Sequence, residues 1–307
     1  MYPAKVSLEL SDLFRLELLS MSPLAWLAIV CLVIYLVGAI SLWIAGKPWS
    51  VLATVSFFVG CLIWFLVTGL SGNAYADELV SVLVFQQITL MVFVPPFLLM
   101  GSPGRLLLRA TPHRGIGRPA LRAALGAYRS RTALVLLHPA MVVIIAALAF
   151  PTLYFTDAVS WFLALPGGHL ILLTFFLVFG VIGAAPLWAV DPLPREPSFP
   201  VRLVDLFIEI QIHAVFGLLL LVNAGRMFSW YAEDPEEWGL TRELDQAIGG
   251  GLVWSYGTLP LIVVLVVTFS KWRVSDLRQA KRRQTQEDAD LDAYNAYLAE
   301  ISGKEQK

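Results

Sequence analysis

The sequence predicts an all-α polytopic membrane protein with seven transmembrane helices, its N-terminus outside and its C-terminus cytoplasmic. Three observations predict it. Of 307 residues, 58% are hydrophobic and 15% charged, a composition too apolar for an ordinary soluble domain. Seven apolar runs reach the roughly 20 residues that a helix needs to cross hydrocarbon. The basic residues, which nearly cancel the acids in a net charge of −1, are concentrated in two segments, and an excess of Lys and Arg marks cytoplasmic segments.

Residues 1–22 form an outer amphipathic segment, in which Leu8, Leu10, Leu13, Phe14 and Leu16 alternate with Glu9, Asp12, Arg15 and Glu17. No leader-type cleavage pattern is evident in it. The seven-helix membrane domain, 23–270, follows with spans near 23–45, 49–72, 79–101, 133–157, 166–190, 203–228 and 248–270. Between the third and fourth spans lie Arg105, Arg109, Arg114, Arg118, Arg122, Arg129 and Arg131 with no acid. The charged tail 271–307 opens with Lys271, Arg273, Arg278, Lys281, Arg282 and Arg283 and reads as a solvated, partly helical extension. Both segments belong in the cytoplasm. The opposite connections are acidic: Asp77 and Glu78 before span three, Asp157 after span four, and six acids against Arg242 within 229–247.

Trp26, Trp161, Trp188, Trp230 and Trp272 fall at span ends, where an indole sits well at headgroup level. The basic 102–132 segment interleaves its arginines with Leu106, Leu107, Leu121, Leu125 and Tyr128, which suits the inner leaflet and anionic lipid rather than nucleic acid. Cys31 and Cys61 lie inside apolar runs without metal or redox spacing and read as packing residues. No lysine lies between 248 and 270, so a retinal Schiff base has no attachment point there. Neither a P-loop, an HExxH, nor a GxSxG elbow occurs. The chain is not expected to be an enzyme.

Ionisable groups are costly in hydrocarbon and mark functional candidates, although some only tie helices together. Span six carries Asp205, Glu209 and His213 at i, i+4 and i+8, hence on one helical stripe facing the bundle interior. They sit at depths of roughly 3, 9 and 15 Å from the inner end. His138-Pro139 opens span four roughly 8 Å deep, near the depth of Glu209. Span three carries Gln86, Gln87 and Met91 and runs into Pro95-Pro96, where missing amide hydrogens are expected to kink or end the helix, a kink opening a polar gap. Imidazole, thioether and carboxylate together suit copper or a proton path, so His138, Glu209, His213 and Met91 are the candidate metal ligands. The bland readings stand beside these. The span-six stripe also fits an interhelical network, His138 a helix-start hydrogen bond, and Met91 ordinary packing. His169, near the outer surface, lies roughly 20 Å across the bilayer from His138 and cannot share its site.

Gln86-Gln87 through Pro95-Pro96, followed by Leu98, Leu99, Gly101, Pro103 and Arg105, resembles the third-helix signature of the CtaG-type cytochrome c oxidase assembly proteins. Asp245-Gln246, Gly249-Gly250 and Trp254 resemble that family's C-terminal signature, and His138-Pro139 matches a His-Pro at a helix start. Gln87, Pro95, Pro96, Asp245, Gln246, Gly249, Gly250 and Trp254 are therefore candidate partner-binding or structural signature residues. The resemblance covers residues from about 20 to 275. It implies a multi-pass protein of the bacterial plasma membrane that helps a haem-copper cytochrome c oxidase mature, handles copper, and meets oxidase subunits or a copper donor protein. This chain departs from the pattern at its histidines. The family's HxxxH before the double proline reads Leu83 and Gln87, a later HxxxH reads His169 and Leu173, and Phe150-Pro151 stands where a further histidine is expected. An amide is a poor copper(I) ligand. Either other groups bind metal here, or the scaffold persists without it. A transporter or proton-coupled permease using the span-six stripe is the alternative function.

Overall fold

A computed structural model describes residues 21–112, 115, 117–188, 191, 193, 196–223, 227–228 and 240–305. Residues 1–20 of the expected amphipathic segment, His113, Arg114, Arg226, and the acidic stretch 229–239 with Trp230 lie outside the described residues. Among the described residues, every element is a helix. The chain divides into two units, one through Val264 and one from Leu265 onward.

Helix α1 (Pro23–Ile44) starts at Ser22, whose hydroxyl accepts the Leu24 N–H at 3.3 Å, with Pro23 in the first turn where no amide hydrogen is needed. Helix α2 (Val51–Gly69) starts the same way, with Ser50 accepting the Ala53 N–H at 3.2 Å. A short 3₁₀ turn, Ser71–Asp77, leads to α3 (Val80–Ile88), a π-helical turn (Thr89–Phe93), α4 (Val94–Met100) and α5 (Pro103–Ala110). Then come α6 (Gly117–Tyr128), α7 (Arg131–Leu136), α8 (Pro139–Ala147) with a second π-turn (Leu148–Thr152), α9 (Ala158–Ala164), α10 (Gly168–Trp188) and α11 (Phe199–Val222). Helix α12 (Arg242–Gly251), a third π-turn (Leu252–Gly257) and α13 (Thr258–Glu305) complete the order.

Six helical stretches are long and apolar enough to cross a membrane, which makes this a multi-pass membrane protein. The fourth expected span, 133–157, differs. It is interrupted at His138-Pro139, and only the shorter apolar helix Pro139–Thr152 remains. The cause is local: proline lacks the amide hydrogen that would continue α7 and disfavours helical geometry in His138, which is extended (ψ 137°). The double proline of span three does not end the helix. Pro95 and Pro96 occupy the first turn of α4, and the π-turn before them absorbs the mismatch, so the apolar helical stretch runs on through Val80–Ala110. The helical stretch that carries the expected 248–270 span begins at Arg242, and the tail expected to be partly helical is helical to Glu305.

All three π-turns among the described residues have a proline in or just beyond them: Pro95 and Pro96, Pro151, and Pro260. A π-turn shifts the hydrogen-bond ladder by one residue, which accommodates a missing donor without ending the helix.

The third span is central, with 61% of its apolar window buried against 22% for α1. Two carboxylates from distant segments close its helices. Asp245 accepts the Val80 N–H at 2.7 Å and the Ser81 N–H at 3.1 Å, and also takes the Ser81 hydroxyl, at the start of α3. Asp191 accepts the Gly104 N–H at 2.8 Å and the Arg105 N–H at 3.2 Å at the start of α5. Each supplies negative charge where a helix leaves its first amides unpaired.

Candidate functional site

The buried stripe of α11 forms as its spacing predicts. Asp205, Glu209 and His213 are all buried, and His213 has no exposed surface. The His213 Nδ1 lies 2.9 Å from the Glu209 carbonyl oxygen, one turn back on its own helix. Its Nε2 has no hydrogen-bond partner, and neither do Asp205 Oδ2, Glu209 Oε2 and Gln87 Nε2. Buried polar groups are almost always paired, so these four stand out, as do Trp64 Nε1 and Thr258 Oγ1 elsewhere in the bundle.

Two of the π-turns wall His213. Phe150, in the second, presents its ring to the imidazole with centroids 5.1 Å apart at 63°. Gly257 ends the third, and a Cβ placed there would come 3.6 Å from the His213 ring and 3.3 Å from Ile88, the residue before the first π-turn. Sequence reasoning missed this convergence. Its signal was available in the prolines inside three apolar runs, since π-turns recur where a span must bend around a site.

Glu209 lines a small enclosed cavity together with Met91, Val92, Pro96, Gly180 and Leu261. At about 20 Å³ it has room for one water molecule. Met91 contributes more than its thioether. Its carbonyl lies four and five residues before Pro95 and Pro96, neither of which carries an amide hydrogen, so no α-type or π-type bond satisfies it. Gly180 of α10 packs on this carbonyl so closely that a Cβ there would lie 2.5 Å from the oxygen. The polar gap expected at the double proline is therefore a single-water pocket, lined mostly by apolar side chains with Glu209 and Trp188 among them.

His138 and Glu209 were placed at similar depth, and the structure gives them different surroundings. His138 lines a wider vestibule of about 510 Å³ with Asp205, Glu196 and Val201. Its Nδ1 accepts the Ala140 N–H at 3.2 Å as the cap of α8, the helix-start role. Gln87 is occupied by Tyr154, whose hydroxyl donates to Oε1 at 2.5 Å. Gln86 belongs to a separate network: its Nε2 donates to Asn73 Oδ1 at 2.9 Å, its Oε1 lies 2.9 Å from His169 Nε2, and His169 Nδ1 lies 3.9 Å from Asp77.

Among the described residues, no three His, Cys, Asp or Glu side chains gather where one ion could be held. Of the candidate donors, Met91 and Glu209 share a cavity, His138 caps a helix in another, and His213 is enclosed by rings and a glycine. Placed this way, the four candidates do not form one donor set for a single copper ion.

The signature residues turn out to be joints. Besides the Asp245 cap, the Gln246 side chain accepts the Met227 N–H at 3.0 Å and donates to the Asn223 carbonyl at 3.2 Å, fastening α12 to the end of α11. Gly250 lies so near α11 that a Cβ would come 2.6 Å from the Leu221 nitrogen and 2.7 Å from the Gly217 oxygen. Gly249 faces Ser81, with a Cβ there 3.6 Å from its Cα. Trp254 alone of this block is exposed.

With these joints in place, the comparison with known proteins is decisive. The family model described as cytochrome c oxidase caa3 assembly factor matches residues 33–275. The chain belongs to that family. This caa3 assembly factor family member is 31% identical over 276 residues to uncharacterized proteins of Mycobacterium bovis and Mycobacterium tuberculosis, covering 87% of this chain and 42% of each relative. An uncharacterized protein of Mycobacterium leprae is 31% identical over 283 residues, 90% of this chain and 43% of its own length. The chain thus spans less than half the length of these curated relatives. No solved structure matches it.

Proposed function

We propose that this chain is an integral membrane assembly factor, not an enzyme, for a haem-copper cytochrome c oxidase, and that it assists maturation of the oxidase's copper centres. The match of the assembly-factor family model across residues 33–275, which takes in most of the helical bundle, carries the reading. Copper is cargo in this proposal. Since the described donors do not gather into one centre, the metal is held by a copper donor protein or by the oxidase subunit being assembled, and this chain brings them together at the bacterial plasma membrane.

The proposed topology has seven spans, with the shortened Pro139–Thr152 helix as the fourth, the N-terminus outside and the C-terminus cytoplasmic. The arginine distribution supports it. So does the amphipathic character of α5 and α6, whose Arg105, Arg109, Arg118 and Arg122 are exposed while Leu106 and Leu121 are buried. We place this face against anionic lipid, where each basic residue near the surface contributes about 1 kcal/mol.

The test is to delete the gene and measure copper per haem in oxidase purified from the mutant and its parent. A deficit restored by the intact gene is expected. An unchanged ratio overturns the assembly reading and favours a proton-coupled permease, for which the unpartnered atoms of Asp205, Glu209 and His213 speak.

A further inference from the structure

The outward face of α11 carries an anomaly unrelated to its buried stripe. Gln211 is exposed and stands midway along a 24-residue helix, roughly 17 Å from either end, too deep for its amide to reach an interface. Other exposed polar side chains on the spans return their hydroxyl to their own helix: Ser41 to the Gly38 carbonyl, Thr174 to that of Leu170 and Ser255 to that of Gly251. Gln211 has no such bond, nor any other polar partner among the described residues. A free amide is costly in hydrocarbon, where no water can take its hydrogen bonds, and an amide across a helix pair removes that cost.

The residues around Gln211 define the partner. Val204, Ile208, Gln211, Val215, Leu218 and Val222 follow one another at spacings of four, three, four, three and four, the repeat of a left-handed helix pair with its seam on one face. Val204, Val215 and Val222 are more than half exposed, at 57%, 55% and 66%, so no described residue of the chain occupies this seam. Beside Gln211, a groove of about 370 Å³ runs between α11 and Pro151 and Phe155, giving room for side chains of a facing helix. One polar residue in an apolar seam sets register and oligomer number.

We propose that this seam is a homodimer interface, in which two copies of α11 pack in parallel and the Gln211 amides bond to each other. A second copy is the occupant that needs nothing further. An amide carries both donor and acceptor, two copies in one membrane hold Gln211 at the same depth, and a two-fold axis along the membrane normal brings the same surface onto itself. A foreign helix would require its own matched polar group at mid-depth.

The experiment is oxidative cross-linking in native membranes of full-length chains lacking Cys31 and Cys61, with single cysteines at Val204, Val215 or Val222 and Trp254→Cys as an exposed control on another helix. In parallel, energy transfer is measured between wild-type copies labelled on the C-terminal tail. Dimer-mass bands at the three seam positions and none at 254 are expected, with Gln211→Leu lowering their yield at least tenfold and Gln211→Asn keeping most of it. Absence of both cross-links and energy transfer overturns the proposal. So do energy transfer without seam cross-links, a cross-link to a band of another mass, or dimers that survive Gln211→Leu.

Discussion

Asp245 and Val80 are 165 residues apart in the chain and 2.7 Å apart in the fold, where the carboxylate of one accepts the first amide hydrogen of the helix begun by the other. This contact turns a signature acid near the last span into the cap of the central third span. The side chain is 1% exposed, so water cannot replace it. Asp245→Ala is expected to lower stability by about 2 kcal/mol, the upper end for a lost cap, with Asp245→Asn losing less. Thermal unfolding in detergent measures it, and an unchanged midpoint for Asp245→Ala would reject the cap as a stabilising contact.

Adjacent glycines make the helix contact between α11 and α12 testable with its own control. A Cβ at Gly250 meets backbone atoms at 2.6 and 2.7 Å, while one at Gly251 meets nothing within 4 Å. Gly250→Ala is expected to destabilise by about 1–3 kcal/mol through forced separation of the helices. Gly251→Ala should be neutral or slightly stabilising, since alanine loses less entropy in a helix. Equal effects of the two substitutions on the melting midpoint would contradict the packing described.

Tyr154 and Gln87 join the second π-turn region to the third span through one hydrogen bond. A double-mutant cycle with Tyr154→Phe and Gln87→Leu is expected to give a coupling energy of about 1 kcal/mol. The residual Gln87 Nε2, unpartnered here, makes Gln87→Leu milder than an ordinary buried amide deletion. Additive unfolding energies would remove this bond from the account.

His138 separates structural from metal chemistry most directly. Its imidazole caps α8, so His138→Ala is expected to cost about 0.5–2 kcal/mol, and His138→Ser, another good cap, much less. Copper per haem in the oxidase should follow stability, falling with Ala and holding with Ser. A ratio lost in His138→Ser at full thermal stability would instead assign the imidazole to metal handling.

The span-six stripe was legible in the sequence because helical spacing alone puts Asp205, Glu209 and His213 on one face. The family was legible too, from the double proline and the Asp245–Trp254 block. Partners within the site were less so. Depth arguments put His138 near Glu209, yet the break at Pro139 turns the imidazole back onto its own helix start, and Glu209 lines a cavity with Met91. The π-turns explain much of this, since a shift of one residue in the ladder rotates every side chain beyond it by about 100°, and no spacing rule applied to an unbroken helix anticipates that.

What the sequence determined by itself is the class of the molecule and most of its spans. Unpaired backbone is so costly in hydrocarbon that a long apolar run has few options besides a helix, and local composition therefore suffices. What the tertiary structure decided is which polar groups are satisfied and which are left open. Whether Asp245 reaches Val80, or Glu209 keeps an unpartnered oxygen, depends on the rotation and close approach of helices far apart in the chain, set by backbone-to-backbone packing at Gly180, Gly217 and Gly250.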